Sequence, residues 1–340
     1  MAVRVGINGM GRIGRTFWRV CLSRPELEVV AVNDVAPAAN LAYLMKYDSV
    51  RGRLPAEITA EAAQGAGRPG AILVDGAPIA AYSSPEPGGV PWGDLGVDVV
   101  LEATGRFFAA DRAAAHLRAG ARRVLVSTAT VDADAIVLIG VNDDSFDPAA
   151  HRIVSPACCT SSAVIPILAV LRQLGAVLDG TLTTVHAYDA TKSALLDSPH
   201  WNPRMGRAAA ANLVPVRLKP GSLHAITSAF PELTGRIDGL HVRVPAIIGC
   251  IADLVVRMPN PPPAETVNAA LAAASAGHFK GVLGYTEEPI VSSDIVGAAE
   301  SSIVDGELTT VVGDCVKVVA WYDNEWGFAH RLADVIGLLG

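Results

Sequence analysis

Residues 2 to 34 leave the chain few folds to choose from. Ala2 to Asn8 is an apolar run of strand length, and it passes directly into Gly9-Met10-Gly11-Arg12-Ile13-Gly14 and a helical pattern reaching about Leu22. A second apolar run, Leu27 to Asn33, ends in Asp34. Strand, glycine turn, helix and strand in that order are the parts of a βαβ unit. Glycines at such a turn let the backbone approach a pyrophosphate held on the helix N-terminus, and let the helix pack closely on the strand. Gly9, Gly11, Arg12 and Ile13 are therefore candidate cofactor contacts. An acid at the position of Asp34 suits ribose hydroxyls and repels a 2′-phosphate, which favours NAD over NADP.

The same alternation continues through the first half. Val97 to Leu101 reads as a strand ending in Glu102-Ala103-Thr104-Gly105, followed by an alanine-rich helical stretch from about Ala109 to Ala119. Further strands are expected at Arg123 to Ser127, Ala135 to Gly140 and around Ile153. Apolar strands alternating with helices predict an α/β domain with a Rossmann-type, doubly wound parallel sheet. Dinucleotides bind at the carboxyl ends of such strands, so Thr104, Gly105 and Ser127 are expected in the crevice. The stretch from Pro55 to Pro91 is rich in Gly, Pro and Ala, and reads as inserted loops with a hairpin around Asp75-Gly76.

The chain has 340 residues, enough for a second core, and its net charge of −7 contains no basic block. Nucleic acid and anionic membrane are thereby disfavoured as partners. No apolar run has spanning length, and the first residues read as a strand instead of a leader, so a cytoplasmic protein is expected. Five cysteines fit a reducing compartment, with Cys21, Cys250 and Cys315 read as core. No His/Cys cluster has metal-ligand spacing, and no metal is expected.

The second half opens on Ser155-Pro156-Ala157-Cys158-Cys159-Thr160-Ser161-Ser162, followed by an apolar helical pattern. The cysteines thus sit where a loop becomes a helix, and the N–H groups and dipole of a first turn favour a thiolate. Thr181 to Tyr188 alternates as a strand and delivers His186, a side chain whose unperturbed pKa near 6.5 suits proton transfer. Further strands are expected at Ile251 to Met258, Val291 to Asp294, Ser301 to Val304, Leu308 to Val312 and Val316 to Trp321, with a helix from about Glu265 to Ala276. Strands in succession predict an α+β domain with a mostly antiparallel or mixed sheet.

These motifs together resemble the glyceraldehyde-3-phosphate dehydrogenase family. Cys159-Thr160-Ser161-Ser162 with Pro166 is similar to its Cys-Thr-Thr-Asn-Cys-Leu-Ala-Pro signature, and Thr184-Val185-His186-Ala187-Tyr188 to its catalytic-histidine strand. His241-Val242-Arg243-Val244-Pro245 resembles the strand carrying a substrate-phosphate arginine, and Trp321 to Phe328 the motif whose Asn holds the nicotinamide carboxamide. Some phrases, such as Ser302-Ile303-Val304-Asp305-Gly306, look at least as close to the erythrose-4-phosphate dehydrogenase branch. The resemblance implies an NAD-binding domain over 1–158, a catalytic domain over 159–323 and a helix over 324–340 returning to the first. It also implies a homotetramer, with the loop from His200 to Asn212, carrying Arg204 and Arg207, reaching a neighbouring subunit.

On this reading Cys159 attacks an aldehyde, His186 takes the thiohemiacetal proton, and phosphate or water releases the resulting thioester. Thr160, Thr191 and Arg243 keep a phosphorylated sugar aldehyde in view, glyceraldehyde 3-phosphate ahead of erythrose 4-phosphate. Asn324 is the expected nicotinamide contact. The substrate pocket departs from the family at three places. Asp189 stands where the family has Thr, and a carboxylate about 5 Å from a phosphate costs about 3 kcal/mol at an effective dielectric near 20. Arg217-Leu218-Lys219-Pro220-Gly221 replaces a Ser-Thr-Gly loop, with Lys219 a candidate compensating cation. Cys158 and Ser162 alter the surroundings of the nucleophile. Two other readings follow: a reassigned member acting on another small aldehyde or an inhibitor-resistant isozyme in specialised metabolism, and a non-catalytic NAD-binding interaction protein.

Overall fold

The computed structural model describes residues 1–63, 69–188 and 194–340. They divide into two compact units: Met1–Val137 with Asp144–Pro156 and Ala329–Gly340, and Leu138–Asp143 with Ala157–Phe328.

The first unit contains β1 (Val3–Asn8), α1 (Arg12–Cys21), β2 (Leu27–Asn33), α2 (Ala38–Lys46) and a small ribbon of β3 (Tyr47–Asp48) and β4 (Gly52–Arg53). β5 (Ile58–Glu61), β6 (Gly70–Val74), β7 (Ala77–Tyr82), β8 (Val99–Glu102) and α3 (Ala110–Arg118) follow, then β9 (Arg123–Val126), β10 (Ala135–Ile136) and β11 (Ile153–Ser155). Nine strands form one sheet in the order β10-β11-β9-β8-β1-β2-β7-β6-β5. Pairing is parallel from β10 to β7 and antiparallel at the β7-β6-β5 edge. The parallel strands are near-continuous apolar runs because helices cover such a sheet on both faces. The chain leaves β1 for β2 on one side and comes back to β8 on the other, so strand order reverses there, the place where α/β sheets bind ligands.

The segment expected as inserted loops with a hairpin contains that hairpin, β6 and β7, and a further strand, β5. Asp75 and Gly76 both have positive φ (48° and 84°), the turn that joins β6 to β7 with the twist a hairpin needs. β5 then adds to the hairpin at the sheet edge.

The second unit contains α4 (Cys159–Leu174), β12 (Asp179–Ala187), β13 (Val214–Arg217), α5 (Pro220–Ala229), β14 (Ile237–Val244), β15 (Cys250–Arg257) and α6 (Ala264–Ala276). β16 (Leu283–Thr286), β17 (Ser302–Val312), β18 (Cys315–Tyr322) and α7 (Trp326–Leu339) complete it, although α7 from Ala329 onward groups with the first unit. Seven strands make a mixed sheet, β13-β14-β12-β15-β18-β17-β16, with β12-β14 and β16-β17 parallel and the remaining pairs antiparallel.

Two expectations need correction here. Val291 to Asp294 is a turn, closed by Val291 N–H donating to Asp294 Oδ2 at 2.8 Å, a local side-chain bond that competes with a ladder. The two strands expected around Ser301 and Leu308 are one, β17, whose register slips between Asp305 and Thr310. Arg217 to Gly221 runs from the end of β13 into α5, which Pro220 opens, a helix start suited to a residue lacking an N–H.

Each glycine of the opening turn answers a different demand. Gly9 has φ +100°, and a Cβ on it would lie 2.6 Å from Thr104 N at the end of β8. A Cβ on Gly14 would lie 2.0 Å from Gly9 O, whereas one on Gly11 would meet nothing within 4 Å. Gly14→Ala is therefore expected to destabilise the protein by about 2 kcal/mol or more, through a forced separation of α1 from the turn. Gly11→Ala should cost no more than about 1 kcal/mol. Thermal unfolding of the two variants checks the difference, and equal melting temperatures would refute the packing argument.

Candidate functional site

The candidate residues of the second unit are assembled on one face of the mixed sheet. Ala157 has φ +66°, a strained value for a residue with a Cβ, and it turns the chain into α4. Cys158 is the N-cap: its sulfur accepts from Ser161 N–H, while Ser161 Oγ accepts from Cys158 N–H at 3.1 Å. No acid occupies the first turn. Cys159, the first helical residue, puts Sγ 3.7 Å from His186 Nε2.

β12 supplies that histidine, and the sheet registers place its neighbours. Arg243 of β14 and Cys250 of β15 are directly opposite His186, and Tyr322 of β18 is opposite Cys250. Residues opposite one another share a face, so the four side chains form one row. His186 Nδ1 and Arg243 Nη1 approach each other closely and both address the Ala187 carbonyl, at 2.6 and 3.1 Å. A proton on Nδ1 donated to that carbonyl leaves Nε2 facing the sulfur. Tyr322 and His241 each meet the His186 ring edge-on with centroids 6.0 Å away, and His241 Nδ1 lies 2.6 Å from Thr184 Oγ1. The Tyr322 hydroxyl lies 3.3 Å from Thr160 Oγ1. Burial above all pushes the tyrosine well above its usual pKa and keeps it neutral.

Of the expected substrate contacts, Arg243 is 4% exposed and points into this row. Thr160 is buried, with its hydroxyl turned to Tyr322. Lys219 is exposed at the N-cap of α5. Ser222, one turn on, reaches Cys158 Sγ at 3.2 Å, so the starts of α4 and α5 meet at that sulfur. Asp189 and Thr191 lie outside the described residues. Asn324 Oδ1 accepts from the Cys250 thiol at 3.5 Å. Its backbone follows Asp323, whose Oδ1 accepts from the N–H groups of Glu325 and Trp326.

In the first unit, Asp34 takes hydrogen bonds from Met10 N–H at 2.8 Å and Ala36 N–H at 2.9 Å, tying the end of β2 to the glycine turn. Arg12 is paired with Asp48. Thr104 donates through both N–H and Oγ1 to Glu102 Oε1, and Ser127 Oγ donates to the Glu102 carbonyl at 2.9 Å. Gly105 follows with φ +68°. Glu102 Oε2 accepts from Asn8 Nδ2 at 2.5 Å and lies 3.0 Å from His116 Nε2. His116 Nδ1 accepts from Trp92 Nε1–H at 3.0 Å, which fixes the tautomer and makes Nε2 the donor to Glu102. Sequence reasoning named the Thr104 loop and missed this buried network behind it. A carboxylate closing an apolar strand was the available signal.

These residues fit a dinucleotide. The N-terminus of α1 has no side-chain cap and no acid in its first turn, and the space beside Gly11 is open, as an anion held on N–H groups requires. Among the described residues no three His, Cys, Asp or Glu side chains are grouped to hold a metal. No helix is long and apolar enough to cross a membrane.

The other thiols correct one expectation. Cys250 is buried, but Cys21 is half-buried and Cys315 exposed, because β18 begins at a hairpin open to solvent. Burial still pushes the Cys21 thiol up to about 12.

Comparison with known proteins agrees with this arrangement. Residues 3–110 match the family model described as the NAD binding domain of glyceraldehyde 3-phosphate dehydrogenase, and residues 158–324 match the one for its C-terminal domain. The chain is 45% identical to glyceraldehyde-3-phosphate dehydrogenase 1 of Streptomyces avermitilis, over 100% of this chain and 99% of the relative. It is 45% identical to the Mycobacterium avium enzyme of that name, with the same coverage. For the Geobacillus stearothermophilus one, identity is 43% over 98% of this chain and 97% of the relative. A fold with a dinucleotide turn, a cysteine facing a histidine, and full-length similarity of this extent lead to one conclusion: the chain belongs to the glyceraldehyde-3-phosphate dehydrogenase family and is an NAD-dependent oxidoreductase.

Proposed function

We propose that the protein oxidises a phosphorylated sugar aldehyde, glyceraldehyde 3-phosphate before erythrose 4-phosphate, and releases the product to inorganic phosphate. The observation that carries this reading is the 3.7 Å approach of Cys159 Sγ to His186 Nε2, with Arg243 in the same row. The relatives' name supports the three-carbon substrate.

Cys159 adds to the aldehyde carbon, forming a C–S bond and a hydroxyl whose proton His186 Nε2 removes. N–H groups at the start of α4 face the oxygen on which charge develops. NAD, held at the glycine turn and Asp34, would supply the hydride acceptor. A thioester on Cys159 would then be open to phosphate, whose attack breaks the C–S bond to give an acyl phosphate and the free thiolate. Arg243 offers a planar fork for the substrate's phosphate.

NADH formation is the direct assay, run with each phosphorylated aldehyde and with or without phosphate or arsenate. Cys159→Ala should lose about 10⁴-fold or more in kcat. His186→Asn should lose about 10²- to 10⁴-fold. Turnover surviving in Cys159→Ala would remove the mechanism. A faster rate on a non-phosphorylated small aldehyde would favour the reassigned enzyme that Asp189 suggests.

Asp34 presents a negative charge to the ribose. Asp34→Ala is expected to raise the preference for NADP relative to NAD about tenfold. Dissociation constants for both coenzymes check it, and an unchanged ratio would show that Asp34 does not exclude the 2′-phosphate.

The loop from Ala194 to Leu213 supports a homotetramer. Its Ala194–Ala208 bridge and Ser198 N–H to Gly206 O bond close it on itself, yet Trp201 is 88% exposed and Leu196 75%. Large apolar side chains so placed are a surface for a second copy of the chain. Sedimentation should give a tetramer, and Leu196→Asp with Trp201→Asp a smaller species. A monomeric wild type would overturn the assignment.

A further inference from the structure

Cys250 occupies the centre of the site without a task in the chemistry above. β15 lies between β12 and β18, so this residue stands between His186 and Tyr322 in the row, and it is 2% exposed. Its S–H donates to Asn324 Oδ1 at 3.5 Å. Among the described residues the Asn324 amide has no other hydrogen-bond partner.

A carboxamide side chain has an acceptor oxygen and a donor nitrogen of nearly equal size, and its orientation is set by whichever end finds a partner. A protonated thiol offers a hydrogen, so it suits the oxygen. Burial first, then the charge of Cys159, push the Cys250 thiol well above its ordinary value, so the proton stays on the sulfur at physiological pH. With Oδ1 engaged, Nδ2 is the end left to offer.

We propose that Cys250 is a positioning residue that sets the direction of the Asn324 amide, so that Nδ2 donates to the carbonyl oxygen of the nicotinamide carboxamide. This rests on the reading that Asn324 meets the carboxamide. The site then selects for a carbonyl acceptor at that position of the ring and is tolerant of what replaces the amide nitrogen. His186 is positioned from its other side by the Ala187 carbonyl and not by Cys250.

Calorimetric titration of NAD into the full-length protein tests the idea. Cys250→Ala should weaken NAD about three- to fivefold, and Cys250→Ser, which keeps a donor, should restore the affinity. In an Asn324→Ala background, Cys250→Ala should add nothing. The acetyl analogue 3-acetylpyridine adenine dinucleotide keeps the carbonyl and should bind the wild type within about threefold of NAD. The infrared S–H stretch of Cys250 in cofactor-free protein gives a second measurement that does not depend on the Cys250→Ala variant folding. Asn324→Ala should move that band to higher frequency.

An Asn324→Ala protein that binds NAD as well as the wild type would sink the carboxamide reading and this proposal with it. If Asn324→Ala weakens NAD but Cys250→Ala does not, or if the S–H band stays in place, only the role given to Cys250 is overturned. A much weaker acetyl analogue would mean that Asn324 reads the amide nitrogen instead, contrary to the proposal.

Discussion

The contact between a sulfur and an imidazole nitrogen at 3.7 Å is what the rest of the second unit maintains. Neither partner can hold it alone, because Cys159 belongs to a helix start and His186 to a central strand. The helix end is set by the left-handed backbone at Ala157 and by reciprocal hydrogen bonds between Cys158 and Ser161. The strand is set by a parallel neighbour on one side and an antiparallel one on the other. A slip of one residue in either pairing would turn His186 to the opposite face. The Ala187 carbonyl accepts from Nδ1 and Tyr322 meets the ring edge-on, so that the nitrogen facing the sulfur is chosen by the bond on the other side.

A comparable economy of parts governs the first unit. Glu102 closes a buried strand, and its carboxylate collects donors from Asn8, Thr104 and His116. A buried carboxylate is tolerable only when its oxygens are paired, and here the pairing joins the ends of β1 and β8, where strand order reverses. Trp92 holds His116 in the tautomer that can donate. Stability and site geometry are thus the same hydrogen bonds, and loosening the network would disturb both.

Much of this was legible in the residues themselves. The glycine turn, α1, β2 and Asp34 stand where their spacing put them, since turn chemistry and hydrophobic period act over a few residues. Cys159 at a helix start and His186 on a strand were likewise readable from local pattern, and the resemblance of both motifs to one family made their pairing expected. Val291 to Asp294 misled because a carboxylate three residues on closed a turn where alternation suggested a strand. The start of α5 was overlooked because its best signal, Pro220, also reads as a loop residue.

By itself the sequence determined the dinucleotide-binding unit and singled out Cys159 and His186 as candidates, for each of these is specified by residues close together in the chain. Only the tertiary structure decided what stands beside them. Cys250 between His186 and Tyr322, the thiol on Asn324, Ser222 against Cys158, and the line from Trp92 through His116 to Glu102 all join distant segments. Such neighbours are chosen by sheet register and helix docking, which depend on how whole faces pack, and no local spacing records that choice.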